Sequence, residues 1–249
     1  MVEYSEDCYV LRLGEVDYQA AWDIQRKLAA ARARGRIEDT LLLLEHPHTY
    51  TLGRSGHAEN LLLDEAERAR LNIRVYEVDR GGDITYHGPG QLVAYPIRYL
   101  GKADPDGRLA RADYIGYLRE LEAVLIRTVG EFGIAARREE GYTGVWVDTP
   151  EGRQKIAAIG VRVDAHGIST HGASLNVAPD LSYFAGIIPC GITDRMVTSM
   201  QALLGNAVPS MEQVMDAFSM VFADVFGYRR MIPQKLADLL PALETKEAP

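Results

Sequence analysis

The chain has 249 residues, 47% of them hydrophobic, and a formal net charge of −8. That is enough apolar content for one large core, and too acidic a balance for a protein that grips nucleic acid by neutralising phosphates. Its two cysteines, Cys8 and Cys190, make no CxxC pair, which points to a reducing compartment rather than a disulfide framework. The acidic start MVEYSEDCYV has no basic segment ahead of an apolar run, and no apolar stretch reaches the length of a membrane span. A cytoplasmic protein with no membrane contact is expected.

In chain order, Cys8–Leu13 reads as a first strand, and Asp17 caps a helix running to Arg34, with Trp22, Ile24 and Leu28 for its buried side and Gly35 as its stop. Arg26, Lys27, Arg32, Arg34 and Arg36 crowd its second half and form, with Arg137-Arg138, the basic patches available to an acidic partner. Leu41–Leu44 is short and wholly aliphatic, as in a strand covered on both faces. Thr49–Leu52 is a further strand, Gly53–His57 a turn, Leu63–Leu71 a short helix capped by Asp64, and Arg74–Val78 a strand. A glycine-rich loop then leads into strand Leu92–Ile97.

After the polar loop Gly101–Leu109, Asp113 caps a long helix to about Phe132, with Ile115, Leu118, Leu121, Leu125 and Val129 at helical spacing. Val145–Val147, Lys155–Val163 and Ile168–Val177, separated by the turns Thr149–Gly152 and Asp164–Gly167, predict a three-strand meander. Pro179–Phe184 makes one helical turn, and Ser210 with Gln213 opens a helix through Phe226 that turns Val214, Phe218, Val221 and Val225 inward. One domain over residues 1–240, followed by a disordered tail from Pro241, is the expected organisation.

Three constellations could carry chemistry. His46-x-His48, with His57 and His87, has the residue type for zinc but none of its recurrent spacings, so no metal is expected and the pair marks a turn. The stretch Arg80-Gly-Gly-Asp-Ile-Thr-Tyr-His-Gly-Pro-Gly-Gln91 matches neither GxGxxG nor the P-loop and runs into a strand, so no helix N-terminus stands ready for a phosphate. It suits the wall of a thin, extended ligand, with Thr85 and Tyr86 in contact. The third is acyl transfer through Cys190, between a proline and a glycine. Lys155 heads a strand of small and apolar residues, and an ammonium beside a thiol favours the nucleophilic thiolate.

The glycine-rich stretch, together with Tyr142-Thr-Gly-Val-Trp146, Lys155-Ile-Ala-Ala-Ile-Gly160, His171-Gly172, Leu175-Asn-Val177 and Pro189-Cys-Gly191, resembles the octanoyltransferases of lipoic-acid synthesis, in order from about Leu11 to Phe226. The resemblance implies the α+β fold of the biotin and lipoate protein ligases, a mixed, largely antiparallel sheet flanked by helices. It implies transfer of octanoyl from acyl carrier protein to a lysine of lipoyl domains, those of 2-oxoacid dehydrogenase complexes and the glycine cleavage H protein, by a monomer with no cofactor. By the same resemblance Cys190 carries the acyl group as a thioester, and Lys155 lowers its pKa and moves protons. Arg80, Gly81, Gly82, Asp83, Ile84, Thr85, Tyr86, His87, Ala158, Ile159, Gly160, Gly172, Ala173 and Ser174 would line the substrate site. His87 is either a proton relay or a brace for the loop. An ATP-dependent ligase, a thioesterase and a noncatalytic acyl-binding module of the same fold stay open.

Overall fold

The computed structural model describes residues 4–101, 111–188 and 196–243, with the backbone alone for 111–113. In chain order the elements are β1 (Asp7–Glu15), α1 (Tyr18–Ala33), β2 (Asp39–Glu45), β3 (Thr49–Leu52), α2 (Glu65–Arg70), β4 (Arg74–Glu77), β5 (Ile84–His87), β6 (Gln91–Ile97) and α3 (Arg111–Gly130). They continue as β7 (Ala136–Glu139), β8 (Tyr142–Thr149), β9 (Gly152–Val163), β10 (Ser169–Asn176), α4 (Met200–Leu204), α5 (Met211–Phe226), β11 (Arg230–Pro233) and α6 (Leu236–Leu243). One sheet has the order β11-β1-β2-β6-β10-β9-β8-β7, and a smaller one the order β4-β3-β5. In the larger sheet only β11, β1 and β2 run parallel, so it is mixed and largely antiparallel.

The aliphatic run of β2 explains the layering. Leu41 and Leu43 join one apolar cluster, with Leu121 and Leu125 of α3 and Phe218 and Phe222 of α5. Leu42 and Leu44 face the other way, into a cluster with Leu28 of α1 and Leu239 of α6. Because a strand alternates its side chains, four consecutive leucines require cover on both faces, and the helices supply it. Three caps are those read from the sequence: Asp17 accepts from the N–H groups of Gln19 and Ala20, and both Asp64–Glu67 and Ser210–Gln213 close capping boxes. Asp113 is not a cap, because α3 is already helical from Arg111.

Several expectations are corrected. The glycine-rich stretch is not one loop, because β5 lies inside it and pairs antiparallel with β3. Its glycine clusters merely bracket a β-branched and aromatic run. Ile115 is exposed at 43%, so the inward stripe of α3 is Tyr117, Leu121, Val124 and Leu125. The short strands β7 and β11 and the helix α6 carry too little pattern to be read from sequence. Residues 241–243 belong to α6, with Pro241 inside it, and the remainder of the expected tail lies outside the described residues.

The buried side of α1 is also different, because Gln25 and Arg32 are enclosed together with Leu28, while Trp22 and Ile24 are half-buried. Arg32 Nε donates to Asp39 Oδ1 at 2.6 Å, with the side chains 4% and 2% exposed. Asp39 also accepts from the Tyr99 N–H at 3.0 Å and the Tyr228 hydroxyl at 2.7 Å. Of the basic patches, Arg32 is thus enclosed, and Arg26, Arg137 and Arg138 pair with Asp23, Asp148 and Glu122 while staying about half exposed. Lys27, Arg34 and Arg36 are exposed. Removing the carboxylate of Asp39 takes the buried counter-charge from an enclosed guanidinium, at a cost of about 3–5 kcal/mol. Asp39→Ala should lower the stability measured by urea unfolding by about that much, and a loss below about 1 kcal/mol would contradict this account of α1 packing.

Candidate active site

A cavity of about 330 Å³ opens between β9, β10 and the stretch that contains β5, at the small end of ligand sites, which span roughly 300–1,000 Å³. Its wall includes Arg80, Gly81, Gly82, Asp83, Ile84, Thr85 and His87 from that stretch. Lys155, Ala158, Ile159 and Gly160 of β9 and Gly172, Ala173 and Ser174 of β10 complete it. Of the residues expected there, Tyr86 is not among the lining: alternation along β5 sends it away from the cavity, into a cluster with Tyr50, Ile73 and Ile187. Its hydroxyl bonds to His48 Nδ1 at 2.9 Å. Cys190 lies outside the described residues, but the chain on either side of it does not.

The glycines of this wall are where two stretches of backbone touch. The Gly81 N–H donates to the Val161 carbonyl at 2.9 Å. A Cβ at Gly160 would stand 2.8 Å from the Gly81 oxygen and 3.0 Å from Arg80 Cδ, so a side chain there would push the loop off β9. Arg80 is buried and donates through Nη2 to the Thr51 carbonyl at 2.7 Å and its hydroxyl at 2.8 Å. Asp83 accepts from the N–H groups of Ile84 and His57 and from Asn60 Nδ2 at 2.6 Å. Both charged side chains of the motif thus hold the loop in shape as well as facing the cavity.

Lys155 is placed by its backbone. Its N–H donates to the Met196 carbonyl at 3.0 Å, and its carbonyl accepts from the Thr198 N–H at 2.9 Å. On the other edge it stands directly opposite Trp146 of β8, with Nζ 4.7 Å from the centre of the Trp146 ring. On the approach to Cys190, the Ile188 N–H donates to the Asn60 carbonyl at 2.8 Å. The 3₁₀ turn Leu181–Gly186 is clamped by Tyr183, which stacks on His48 with ring centres 3.9 Å apart.

The inner part of the cavity is polar, and sequence reading passed over it. Tyr18, Gln91, Tyr95, His171 and Asn176 all line it. They come from three elements far apart in the chain, Tyr18 from α1, Gln91 and Tyr95 from β6, and His171 and Asn176 from β10, and the motifs that contain Gln91, His171 and Asn176 do not reveal that these side chains converge. His87 donates from Nδ1 to Gln91 Oε1 at 2.7 Å; Gln91 Nε2 donates to Asn176 Oδ1 at 2.9 Å; Asn176 Nδ2 donates to the Thr198 carbonyl at 2.9 Å. The chain of bonds from His87 to Thr198 fits a brace, and burial holds the His87 imidazole well below its usual range, with the neighbouring His46 adding to this.

His171 has a positive φ of 56° although it is not glycine, a costly backbone state that its surroundings enforce. Its N–H donates to Gln25 Oε1 at 2.7 Å and its Nε2–H to Asp79 Oδ1 at 2.8 Å. Desolvation lowers its pKa despite the Asp79 carboxylate, and the bond from His171 in turn lowers that of Asp79. His46 donates from Nδ1 to the Val16 carbonyl at 2.6 Å and accepts the Tyr95 hydroxyl at 2.8 Å. His57 is exposed. Among the described residues no group of three or more His, Cys, Asp or Glu could hold a metal ion.

These enclosed histidines tie stability to pH. Burial lowers the pKa of His46 from 6.5 to about 4, so between those values the unfolded chain binds a proton that the folded one refuses. Stability is therefore complete above about pH 6.5 and falls as the solution is acidified towards pH 4, with His87 and His171 acting in the same direction. From His46 alone, urea unfolding at pH 5 should show on the order of 2 kcal/mol less stability than at pH 7.5. Equal stability at the two values would mean that these rings are hydrated.

Residues 17–223 match the family described as the lipoyl protein ligase A/B catalytic domain. The octanoyltransferase of Chloroflexus aurantiacus is 50% identical over 216 residues, 86% of this chain and 92% of that protein. The octanoyltransferase of Acidobacterium capsulatum is 44% identical over 240 residues, 95% of this chain and 97% of that protein. Among solved structures, lipoate-protein ligase A bound with ATP superposes with a TM-score of 0.70 at 16% identity, over 95% of this chain and 92% of that one. A bi-partite lipoate protein ligase from Thermoplasma acidophilum also gives 0.70, at 17% identity, over 95% and 90%. The structures share the fold, and the family match with the sequence identities places this chain in the lipoyl protein ligase A/B catalytic domain family.

Proposed function

We propose that the protein is an octanoyltransferase of protein lipoylation, taking octanoyl from acyl carrier protein and delivering it to a lysine of a lipoyl domain. The names of relatives 44–50% identical over most of the chain support the activity. The observation that carries the mechanism is that Lys155 lines the cavity while the chain is tied down on both sides of Cys190, at Ile188 and at Met196–Thr198, the latter to Lys155 itself. Apart from a buried thiol at Cys8, whose pKa burial raises well above the usual range, Cys190 is the cysteine available to the reaction.

In the first half-reaction the Cys190 thiolate attacks the donor thioester carbon. The bond from that carbon to the phosphopantetheine sulfur breaks, the departing sulfur takes a proton from the Lys155 ammonium and leaves that amine neutral, and a new thioester forms on Cys190. One thioester replaces another, so the exchange is near balance and calls for no nucleotide. In the second, the acceptor lysine amine attacks the same carbon, the Cys190 sulfur leaves as thiolate, and an amide forms. The amine must shed a proton, which neutral Lys155 accepts. Backbone N–H groups of the glycine-bracketed stretch are candidates to steady the oxyanion of each tetrahedral intermediate. Thiolate chemistry of this kind suits a reducing cytoplasmic compartment. Among the described residues no helix is long and apolar enough to cross a membrane.

Incubation with octanoyl-acyl carrier protein and no ATP should add one octanoyl group to the intact protein, removable by hydroxylamine and absent in Cys190→Ala. Lys155→Ala should slow transfer to a lipoyl domain on the order of 10²–10⁴-fold. A strict need for ATP would make the protein a ligase, and release of free octanoate without an acceptor would make it a hydrolase.

A further inference from the structure

The motif Tyr142-Thr-Gly-Val-Trp146 has no place in the chemistry above, yet it forms the strand that faces Lys155. Pairing of β8 with β9 is irregular at one point: Val145 stands opposite Ala157, but Trp146 stands opposite Lys155. Ile156 is therefore an extra residue, a bulge, buried in the core. Without it Trp146 would oppose Ile156, and Lys155 would oppose Val147. A bulge of this kind re-aims a side chain, and here it sets the lysine and the indole side by side on one face.

The contact is specific in its geometry. Lys155 Nζ lies 4.7 Å from the centre of the Trp146 ring, within the roughly 6 Å over which an ammonium is drawn to an aromatic face, and indole is the strongest of the natural rings for this. Trp146 is 1% exposed, and the Tyr142 ring meets it edge-on with centres 5.9 Å apart. Arg137 of β7 stands opposite Trp146 on its other edge, and its guanidinium is held by both oxygens of Asp148.

Gly144 completes the arrangement. Its φ is +121°, and a Cβ there would meet the Ala157 oxygen at 2.7 Å and Lys155 Cε at 3.4 Å. The lysine stem thus lies across the position a side chain would take. The Gly144 N–H donates to Glu122 Oε1 at 3.1 Å, and Glu122, fully buried on α3, is held by Arg119 and Arg138.

From this arrangement we propose that Trp146 is a positioning residue for Lys155: the indole face holds the ammonium at the cavity, and Gly144, fixed by Glu122, leaves the lane through which the lysine reaches it. The proposal rests on the role given to Lys155 above. Among the described residues, the charged groups on the elements packed around the lysine are Glu122 with Arg119 and Arg138, Arg80 on the cavity wall, and the cluster of Arg137, Asp148, Arg153 and Glu139. Each of these carboxylates is engaged by arginine, so removing the ring leaves those ion pairs unaltered while withdrawing the aromatic face from the ammonium.

The test reads the lysine directly. Full-length protein is labelled with trace acetic anhydride across a pH series, and modification of Lys155 is quantified by mass spectrometry against the exposed Lys27 and Lys235. A ring that favours the charged ammonium delays labelling to higher pH. Its loss should therefore move the labelling midpoint of Lys155 down by about one pH unit in Trp146→Leu and about half a unit in Trp146→Phe, which keeps a weaker ring. Better access alone would change the rate and not the midpoint. In transfer assays Trp146→Leu should lower kcat about tenfold with KM little changed, and Trp146→Phe should recover much of it.

Midpoints unmoved in both variants, or moved upwards, overturn the proposal. If Trp146→Leu does not fold, Trp146→Phe alone decides by the same criterion. A downward shift with kcat untouched in both variants, while Lys155→Ala is inactive, also overturns it. A downward shift in a protein whose Lys155→Ala variant transfers normally leaves the contact standing and removes the role assigned to Lys155 instead.

Discussion

Two backbone hydrogen bonds at Lys155 hold this site together. The N–H and carbonyl of that residue are bonded to Met196 and Thr198, so the chain returning from Cys190 is laid directly against the strand that carries the lysine. The place is available because β10 pairs with β9 only as far as Leu175 opposite Ala157. Past that point the sheet needs another partner for β9, and residues 196–198 provide it. Asn176, the last residue of β10, spans the parting by accepting from Gln91 and donating to the Thr198 carbonyl. The cavity lies where one strand leaves another, and its walls are the groups that repair the gap.

The repair explains why so much of the interior is polar. A buried polar group without a partner costs free energy, so a network at depth is favourable only when each member is satisfied. His46, Tyr95, His87, Gln91 and Asn176 meet this requirement through short bonds that cross from one element to the next. His171 meets it at the expense of a left-handed backbone, because that conformation lets its N–H reach Gln25 while its ring reaches Asp79. The apolar clusters decide that the chain folds into this sheet, and the polar bonds decide how its parts are registered around the cavity.

The legible parts of the sequence were those where one local pattern had one reading. Four leucines in a row specify a strand covered on both faces; Ser210 with Gln213, and Asp64 as a cap, specify helix starts; the meander of β8, β9 and β10 follows from its turns. What stayed hidden depended on partners distant in the chain. Gln25 and Arg32 look like the solvated side of a helix until Asp39 and the His171 N–H are brought against them. Tyr86 looks like a cavity residue until the pairing of β5 with β3 sets which face it takes. The Gly144–Trp146 segment could be seen as a motif but given no purpose, because a one-residue bulge is invisible without its partner strand.

The division of labour between strand and loop follows from what each group has to do. A proton acceptor must stand at one distance from the reacting nitrogen, and a side chain on a paired strand, with an aromatic ring on its flank, has few other positions to occupy. On the function proposed above, a nucleophile that receives the acyl group from one protein and yields it to another has to be approached by both. Ligases that share this fold at 16–17% identity show that the frame does not dictate one activity. What the described residues fix is the lysine: Lys155 stands on a paired strand, and residues 196–198, which follow Cys190 in sequence, are bonded to its backbone.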